Sequence, residues 1–326
     1  MLNLATVGTS EITKKFLSGC RLTNRFTLHT AYSRDRERGN TFAESEGFIK
    51  SSDDIYELAK DPCVDAVYIA TPNAFHYKQS KLFLENGKHV ICEKPIATSL
   101  SEYKELFSLA REKGLIYMDA IMGPHYKGHK ILHEALSEIG DVAQARIDFC
   151  QRSNRLDSLM AGEMVNIFDM SLHAGTFMDL GVYCVYMAVD LFGMLIDITA
   201  SSSFFKNGAD NSGSAILTYK DFVATLTYSK AAQSAIASEI IGDAGAVKIT
   251  SISQYAGISL VKDGKVKILF EIPPKDQIMS GEAEKFANYI ENFDKFKDDY
   301  KAKSLLTENV MQCMDIIKQK ANLKYK

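Results

Sequence analysis

The feature that most constrains the fold is a regular alternation of short apolar runs with helix-like stretches over about the first 120 of the 326 residues. Five apolar runs can be identified, at residues 2–8, 26–32, 64–71, 88–94 and 115–122. One intervening helix is marked by a capping box, Ser99-x-x-Glu102, and by a closing Gly114. Strands that alternate with helices predict βαβ units, which right-handed crossovers join into a doubly wound parallel sheet.

The second part of the chain, from about residue 123, has a different pattern. Helix-like stretches at 131–139 and 176–192 precede a succession of strand-like runs between 196 and 272. Asp263-Gly264 is a strong hairpin turn signal between the last two runs. Because consecutive hairpins build antiparallel sheets, we expect such a sheet here.

The predicted fold class is therefore α/β with two domains. Residues 1–122 form an N-terminal Rossmann domain with a doubly wound parallel sheet. Residues 123–326 form a C-terminal α+β domain with an open, mainly antiparallel sheet, which is expected to bind substrate and to oligomerise. Two terminal helices are predicted, at 282–293 and 305–323. The second of them, with its start set at 304 in the domain division (304–323), is expected to pack back toward the first domain.

Composition and charge exclude several classes of protein. The net charge is −3, from 38 basic and 41 acidic residues, whereas a nucleic-acid-binding face is basic and clustered. The six cysteines form no CxxC pair, so no zinc ribbon is predicted and no metal site is expected. No basic leader region and no long apolar stretch stand out, so neither a signal peptide nor a membrane span is expected. A reducing, cytoplasmic location is predicted.

The turn after the first apolar run stands where a dinucleotide fingerprint would lie. The predicted cofactor-binding residues of this turn are Gly8, Thr9, Ser10, Glu11 and Ile12. Glycine in such a turn lets the backbone approach a pyrophosphate at the N-terminus of a helix. Only Gly8 remains of the usual glycines, since Ser10 and Thr13 occupy the other two places. An ordinary strand-to-helix turn is the alternative.

Ser33 and Arg34 end the second apolar run, where a Rossmann domain meets the ribose of the adenosine. A hydroxyl and a guanidinium there favour a 2′-phosphate, and Arg38 adds a further positive charge. The pattern predicts NADP(H), with NAD(H) less suited. The alternative is a solvated, charged start of a helix.

Two further loops are predicted to reach the cofactor. The first loop follows run 64–71 and contains Ala70, Thr71, Pro72, Asn73 and His76. The second is Glu93-Lys94-Pro95, at the carboxyl end of a strand, where ligands bind in such sheets. Alternatively, Asn73 caps a helix, His76 is structural, and Glu93 and Lys94 belong to a solvated surface turn.

Asp179 and Tyr183 form the second candidate group. They are four residues apart in a helix-like stretch and therefore share one helix face. A capping aspartate and a buried tyrosine are the alternative. Tyr186 and Asp190 repeat the same spacing, so the pattern by itself does not select one pair.

Together these motifs resemble the Gfo/Idh/MocA family, which includes glucose–fructose oxidoreductase and inositol dehydrogenase. Residues 67–114 resemble its cofactor domain without gaps, Glu93-Lys94-Pro95 matches its Glu-Lys-Pro signature, and AGTFMDLGVY resembles the helix that carries its catalytic pair. Two departures are the degenerate glycine loop and His173-Ala174-Gly175, which stands where the family has three glycines.

Tyr183 occupies a position where many family members place histidine. In this respect the chain resembles the branch that contains glucose–fructose oxidoreductase, dimeric dihydrodiol dehydrogenase and NADP-dependent D-xylose dehydrogenase. The resemblance implies a dehydrogenase of a sugar, polyol or vicinal diol, with Lys94, Asp179 and Tyr183 as catalytic residues. It also implies a homodimer, or a higher homo-oligomer, through the C-terminal sheet. The competing hypothesis is a non-catalytic NADP-binding sensor or regulatory protein of the same fold.

Overall fold

A computed structural model describes residues 1–325 of the chain. The described chain divides into two compact units. The first unit combines residues 1–125 with 274–304, and the second combines 126–273 with the residues from 305 onward. The predicted division at 122/123 differs from this arrangement, because it assigns 274–304 to the second domain.

The first unit is built on a six-stranded sheet whose strands are all paired in parallel. The strands are β1 (Leu2–Val7), β2 (Phe26–Tyr32), β3 (Lys50–Ser52), β4 (Ala66–Ile69), β5 (His89–Glu93) and β6 (Tyr117–Ala120). Their order, β3-β2-β1-β4-β5-β6, is the Rossmann order. The predicted doubly wound sheet is thus confirmed, and β3 is a strand that the sequence pattern did not indicate.

Six helices lie within residues 1–125 of the first unit, three of which begin at a side chain that accepts from N–H groups of the first turn. They are α1 (Glu11–Thr23), α2 (Arg36–Glu46), α3 (Ile55–Lys60), α4 (His76–Glu85), α5 (Leu100–Glu112) and α6 (Met122–His125). The Ser99 hydroxyl accepts from the Glu102 N–H at 3.3 Å, and the Glu102 carboxylate accepts from the Thr98 N–H at 2.9 Å. This is the predicted capping box, except that the Glu102 carboxylate accepts from the N–H of Thr98, one residue before the N-cap residue Ser99.

The second unit contains an eight-stranded sheet of order β14-β13-β12-β11-β7-β10-β9-β8. Its strands are β7 (Val142–Cys150), β8 (Asp197–Phe204), β9 (Asp210–Thr218), β10 (Val223–Ser229), β11 (Ser238–Gly242), β12 (Gly245–Ser251), β13 (Ala256–Lys262) and β14 (Lys265–Phe270). The mainly antiparallel character is confirmed. Strand β7 was missed, although it lies inside the sheet, and it pairs in parallel with β10.

Three helices lie within residues 126–273, and the first and last of them pack against this sheet. They are α7 (Lys127–Ser137), α8 (Leu156–Met160) and α9 (Val182–Phe192). By length and composition the segment 170–192 could span a membrane, but 78% of its most apolar window is buried inside the protein. The segment includes α9, which packs against β7 and β10, so its apolar character is that of a core helix.

Two helices close the chain, α10 (Ser280–Glu291) and α11 (Phe293–Lys320). Helix α11 begins twelve residues earlier than the predicted start at 305. Helix α10 packs against α1, where Gly19 lies so close to the Met279 carbonyl that a Cβ would stand 2.6 Å from it. The Tyr300 hydroxyl donates to the Tyr117 carbonyl at 3.1 Å. These contacts explain why 274–304 belongs to the first unit.

Candidate active site

A first candidate group lies at the carboxyl ends of the adjacent strands β1 and β4. The chain leaves these two strands toward opposite sides of the sheet, and ligands bind at such a point in a doubly wound fold. Gly8 follows β1 with a φ of +116°, and a Cβ on it would stand 2.6 Å from the Ala70 carbonyl oxygen after β4. Only glycine tolerates both the backbone angle and this approach. Gly8 therefore brings the two predicted loops together.

The start of α1 provides the other part of the phosphate-binding geometry. Ser10 is the N-cap residue with extended backbone, and its hydroxyl makes no capping bond but lies 3.4 Å from the Thr13 hydroxyl. Glu11 is exposed and pairs with Lys14 at 3.1 Å. The N–H groups of the first turn are thus not capped by the Ser10 side chain, and they form the kind of anion site that the predicted fingerprint requires.

The residues predicted to recognise the 2′-phosphate lie on the adjoining loop, after β2. Arg34 and Arg38 are both exposed. The Arg34 guanidinium lies 5.8 Å from the centre of the Phe75 ring, and an Arg38 nitrogen approaches the Thr9 carbonyl oxygen at 3.5 Å. The arginines therefore reach toward both neighbouring loops. Sequence reasoning missed Phe75, whose only signal is an aromatic side chain in a predicted cofactor loop.

Ser33 and Asp35 fix this loop internally. The Ser33 hydroxyl accepts from the Asp35 N–H at 3.2 Å, and the Asp35 carboxylate accepts from the Arg38 N–H at 3.0 Å. Asp35 is thus used as the cap of α2. The Asp35 carboxylate, which lies close to the predicted 2′-phosphate position, is thus engaged in capping a helix.

His76 connects two of the predicted loops rather than pointing its ring nitrogens into open space. Nε2 lies 2.8 Å from the Thr71 carbonyl oxygen and Nδ1 lies 2.9 Å from the Pro95 carbonyl oxygen. Burial lowers the pKa of His76, and the two carbonyls oppose this effect. The neutral ring donates only one of the two bonds. The structure gives His76 a positioning role, while direct contact with a cofactor stays a prediction.

Glu93-Lys94-Pro95 ends β5 at the same edge of the sheet. Glu93 is buried, and its carboxylate accepts from the Tyr68 hydroxyl at 2.6 Å and from the Lys94 N–H at 3.3 Å. Burial, with the charge of Glu93, raises the pKa of the Tyr68 phenol. The Lys94–Pro95 peptide bond is cis. The Glu93 carboxylate is therefore buried and held by hydrogen bonds, so Glu93 is not part of a solvated surface turn. Tyr68 is a supporting residue that the sequence did not reveal.

A second candidate group lies in the second unit, on the segment that leads into α9. Residues Phe177–Gly181 form a π-helical turn, a feature frequent at functional sites. The Asp210 carboxylate accepts from the Thr176 N–H at 3.1 Å and from the Phe177 N–H at 2.7 Å. Burial raises the pKa of Asp210 to about 6, against these hydrogen bonds and the nearby charge of Lys230.

Gly175 is the residue that makes this cap possible. Its φ is +144°, and a Cβ at this position would collide with the Asp210 carboxylate. The glycine retained from the family's triple-glycine segment is thus the one that the backbone requires. His173, which replaces another, has a φ of +52°, and its ring stacks on Tyr325 at 5.5 Å.

Tyr183 and Asp179 occupy the segment that Asp210 caps. Tyr183 is 8% exposed, and its ring meets the edge of Phe149 at 5.5 Å. Asp179 forms an ion pair with Lys230, a lysine that follows β10 and is 5% exposed. A buried lysine of this kind is retained only when its charge is compensated. Sequence reasoning missed Lys230, and its only signal was a lysine at the end of an apolar run.

The first unit has a sheet in Rossmann order and a first turn that requires glycine, and the second unit has an Asp179–Lys230 ion pair and a buried Tyr183. These features are those of a nucleotide-dependent oxidoreductase. The family models agree: residues 2–120 match the oxidoreductase family with an NAD-binding Rossmann fold, and residues 133–248 match the Gfo/Idh/MocA C-terminal domain. The chain belongs to the Gfo/Idh/MocA family, so the predicted resemblance and the predicted enzyme class are confirmed.

Relatives and solved structures of this family cover most of the chain. The scyllo-inositol 2-dehydrogenase (NADP(+)) IolU of Bacillus subtilis is 36% identical over 96% of the chain and 95% of its own length. The trans-1,2-dihydrobenzene-1,2-diol dehydrogenase of Mus musculus is 30% identical over 74% of the chain and 70% of its own length. The 3-ketoreductase KijD10 of Actinomadura kijaniata, solved with NADP and TDP-benzene, has the same fold, with a TM-score of 0.83 at 21% identity and 98% coverage of both chains.

Proposed function

We propose that this protein is an NADP(H)-dependent dehydrogenase that acts on a sugar, a polyol or a vicinal diol. The observation that carries the proposal is the Asp179–Lys230 ion pair on the segment that presents Tyr183. A protein that only senses a nucleotide has no need of a buried, paired charge in its second unit. Lys94, at the ligand-binding edge of the parallel sheet, supplies a further polar group suited to chemistry.

The cofactor preference follows from the residues after β2. Ser33, Arg34 and Arg38 offer a hydroxyl and two exposed guanidinium groups, and the Asp35 carboxylate is engaged as a helix cap. Guanidinium groups bind phosphate through paired, charge-assisted hydrogen bonds. Gly8 and the first turn of α1 fit a pyrophosphate. The name of the Bacillus subtilis relative, which specifies NADP(+), supports the same preference.

Each catalytic residue has a proposed role in handling the proton of the substrate. Oxidation of a carbinol releases a hydride and a proton, and NADP⁺ supplies the hydride acceptor when it is bound. Tyr183 accepts the hydroxyl proton. A free phenol has a pKa of about 10, so it is protonated at neutral pH and can accept the substrate proton only as the phenolate. A neighbouring ammonium group favours the phenolate, and this is the role we assign to Lys94.

Asp179 is proposed to orient the substrate hydroxyl. Its carboxylate is fixed by Lys230, and the cap that Asp210 provides fixes the start of the helical segment itself. Lys230 is therefore a positioning residue in this mechanism. A hydrogen-bond acceptor held in this way loses little conformational freedom when the substrate binds.

The substrate class is open to direct test. The purified protein is mixed with NADP⁺ and, in turn, scyllo-inositol and other inositols, aldoses, and a trans-dihydrodiol, and NADPH formation is followed by absorbance across a range of pH. Turnover with a member of any class supports the proposal. Tight NADP(H) binding without turnover across all three classes would instead favour the sensor.

Replacement of Arg34 by Asp is expected to reverse the cofactor preference. The variant loses a phosphate-binding cation and gains an acid that accepts from a free ribose hydroxyl, so NADP(H) binds at least about tenfold more weakly and NAD(H) more tightly. Calorimetric titration of both cofactors measures the change. Arg111→Asp, which makes the same charge change at the end of α5, is the control and should alter neither affinity. Equal binding of both cofactors by the unchanged protein would remove the basis for NADP(H).

We further propose that the protein forms at least a homodimer through the face of the eight-stranded sheet that the helices leave uncovered. One row of this open face crosses the sheet through paired residues, namely Thr199, Ile216, Thr225, Arg146, Glu239, Lys248, Ser259 and Ile268. Its middle carries the Arg146–Glu239 ion pair. Toward the edges Ile216 is 46% exposed and Ile268 is 65% exposed.

The open face also contains a cavity of ≈ 420 Å³, formed where residues 235–237 cover the middle strands. Its walls bear both signs of charge, from Arg146 and Lys248 and from Asp148 and Glu239. Exposed apolar edges around a centre of mixed charge suit an interface between two identical copies.

A pair of lysines on β14 is expected to disrupt this dimer. Val266→Lys with Ile268→Lys places two charges where 64% and 65% exposed apolar side chains would be buried, so the variant should sediment as a monomer at micromolar concentration. Met194→Lys, at an exposed methionine outside the strands, is the control and should leave the dimer intact. A monomer observed for the unchanged protein would refute the proposed association.

A further inference from the structure

Two histidines and an aspartate converge in the second unit, away from the groups assigned above. His129 and His133 are four residues apart on α7 and so share one face of the helix. Asp190 lies on α9 and turns its carboxylate toward both. Nε2 of His129 is 3.2 Å from Oδ1, and Nε2 of His133 is 3.7 Å from Oδ2. The side chains are 27%, 40% and 6% exposed in the order His129, His133, Asp190.

We propose that these three side chains bind a divalent transition-metal ion of the zinc class. Each offers one ligand atom, and the three ligand atoms lie within 4.8 Å of one another. Imidazole nitrogens and a carboxylate oxygen bind zinc at about 2.0–2.2 Å, which places ligand atoms about 3.4 Å apart around a tetrahedral ion. Nε2 of His129 and Oδ1 of Asp190, 3.2 Å apart, are close to this spacing, and Nε2 of His133 lies 3.7 Å from the other carboxylate oxygen.

Direct hydrogen bonding accounts for only part of this arrangement. The contact of His129 with Asp190 has the length of a hydrogen bond, whereas the 3.7 Å contact of His133 is longer than one. The two imidazole rings also lie 4.5 Å apart. An ion held between neutral rings and the carboxylate satisfies all three groups at once.

The surroundings of the cluster suit a metal site. The exposed fractions of His129 and His133 leave a path for an ion to enter from solvent, and the three ligands leave a fourth position for water. Tyr255 packs beside the cluster, with its ring stacked 6.3 Å from His129. A phenol next to a ligating carboxylate is a common outer-shell group.

The consequence of binding is a cross-link between α7 and α9. Helix α9 begins one residue before Tyr183 and ends two residues after Asp190. An ion at Asp190 would anchor the far end of the helix that presents the proposed acid/base residue. The proposed site is therefore structural, and its occupancy is expected to act on stability first. The cysteine pattern alone gave no sign of it, and no metal site was expected from the sequence.

The test uses the full chain, purified without a polyhistidine tag and stripped with a chelator. Zinc is titrated by calorimetry, and Co²⁺ is titrated as a visible-absorbing substitute. One equivalent per chain is expected, and a hundredfold excess of zinc over its dissociation constant should raise Tm by roughly 5 °C or more. His133→Gln, at the most exposed ligand, and the double change His129→Gln with His133→Gln should weaken zinc binding at least about tenfold.

Lys130→Gln is the matched control, since it alters an exposed side chain on the same helix and should leave zinc affinity unchanged. Circular dichroism of each apo variant verifies that it is folded. Substoichiometric binding would overturn the proposal, as would equal affinity in the double histidine variant or the absence of any zinc effect on Tm. The last result would mean that the three side chains are held by contacts with one another and with neighbouring groups such as Tyr255.

Discussion

Tyr183→Phe is expected to reduce kcat by about 10²–10⁴-fold while leaving the affinity for NADP(H) nearly unchanged. The change removes only a hydroxyl from a ring that Phe149 holds in place, so the helix and its packing are retained. Lys94→Ala should cost at least as much, because it removes the cation that favours the phenolate and a polar group near the nicotinamide. Steady-state kinetics on the identified substrate, with NADP(H) binding measured by calorimetry, separates the two effects.

The double variant distinguishes a joint function from two independent ones. If Tyr183 and Lys94 handle one proton together, the double variant is little slower than the slower single variant. Lys94→Arg keeps the charge but not the geometry, so it should restore turnover only in part. Tyr186→Phe, at a buried tyrosine three residues along the same helix, is the matched control and should keep near-normal kcat. Folded single variants at Tyr183 and Lys94 with near-normal turnover would reject the mechanism.

Gly8→Ala is expected to destabilise the protein by about 3 kcal/mol and to raise the dissociation constant for NADP(H) at least about tenfold. The methyl group would stand 2.6 Å from the Ala70 carbonyl oxygen, and the φ of +116° is itself unfavourable for alanine. Relief of the contact separates the loops after β1 and β4, and those loops form the proposed pyrophosphate site. Chemical denaturation and calorimetric titration give the two quantities.

Gly47→Ala provides the control for the backbone angle alone. Gly47 also has a positive φ, +73°, but a Cβ there would meet nothing within 4 Å. It should therefore lose only about 1 kcal/mol and keep its affinity for NADP(H). If both variants behave alike, the close approach to Ala70 has no special importance for the cofactor.

The parallel sheet was predictable because five of its six strands are short apolar runs separated by helix-like stretches, whereas β3, Lys50-Ser51-Ser52, contains no apolar residue. Strand β7 was not predicted, although Gln144, Arg146 and Asp148 on the open face alternate with Ala145, Ile147 and Phe149, which is the period-2 pattern of a half-exposed strand. Its position inside the sheet depends on pairing with strands far along the chain, β10 and β11, which no local pattern encodes.

The candidate site was predictable in part for the same reason. Gly8, Lys94 and Tyr183 lie in local motifs that can be read directly. Lys230, Tyr68 and Asp210 support the site through contacts across sequence separations of 51, 25 and about 34 residues respectively, so their partners emerge only from the folded chain. Sequence thus indicated the groups proposed for chemistry but not those that hold them in place.

The composition of the first unit from two distant stretches has a consequence for the order of events during synthesis. Residues 1–125 leave the ribosome first, yet the surface of α1 that receives α10 stays uncovered until residues 274–304 follow. Phe16 and Leu17, both fully buried in the complete protein, lie on that helix. The Rossmann sheet of the growing chain therefore lacks the layer formed by residues 274–304 until the entire intervening unit has been translated. The rate of chain growth thus sets when the first unit can be completed.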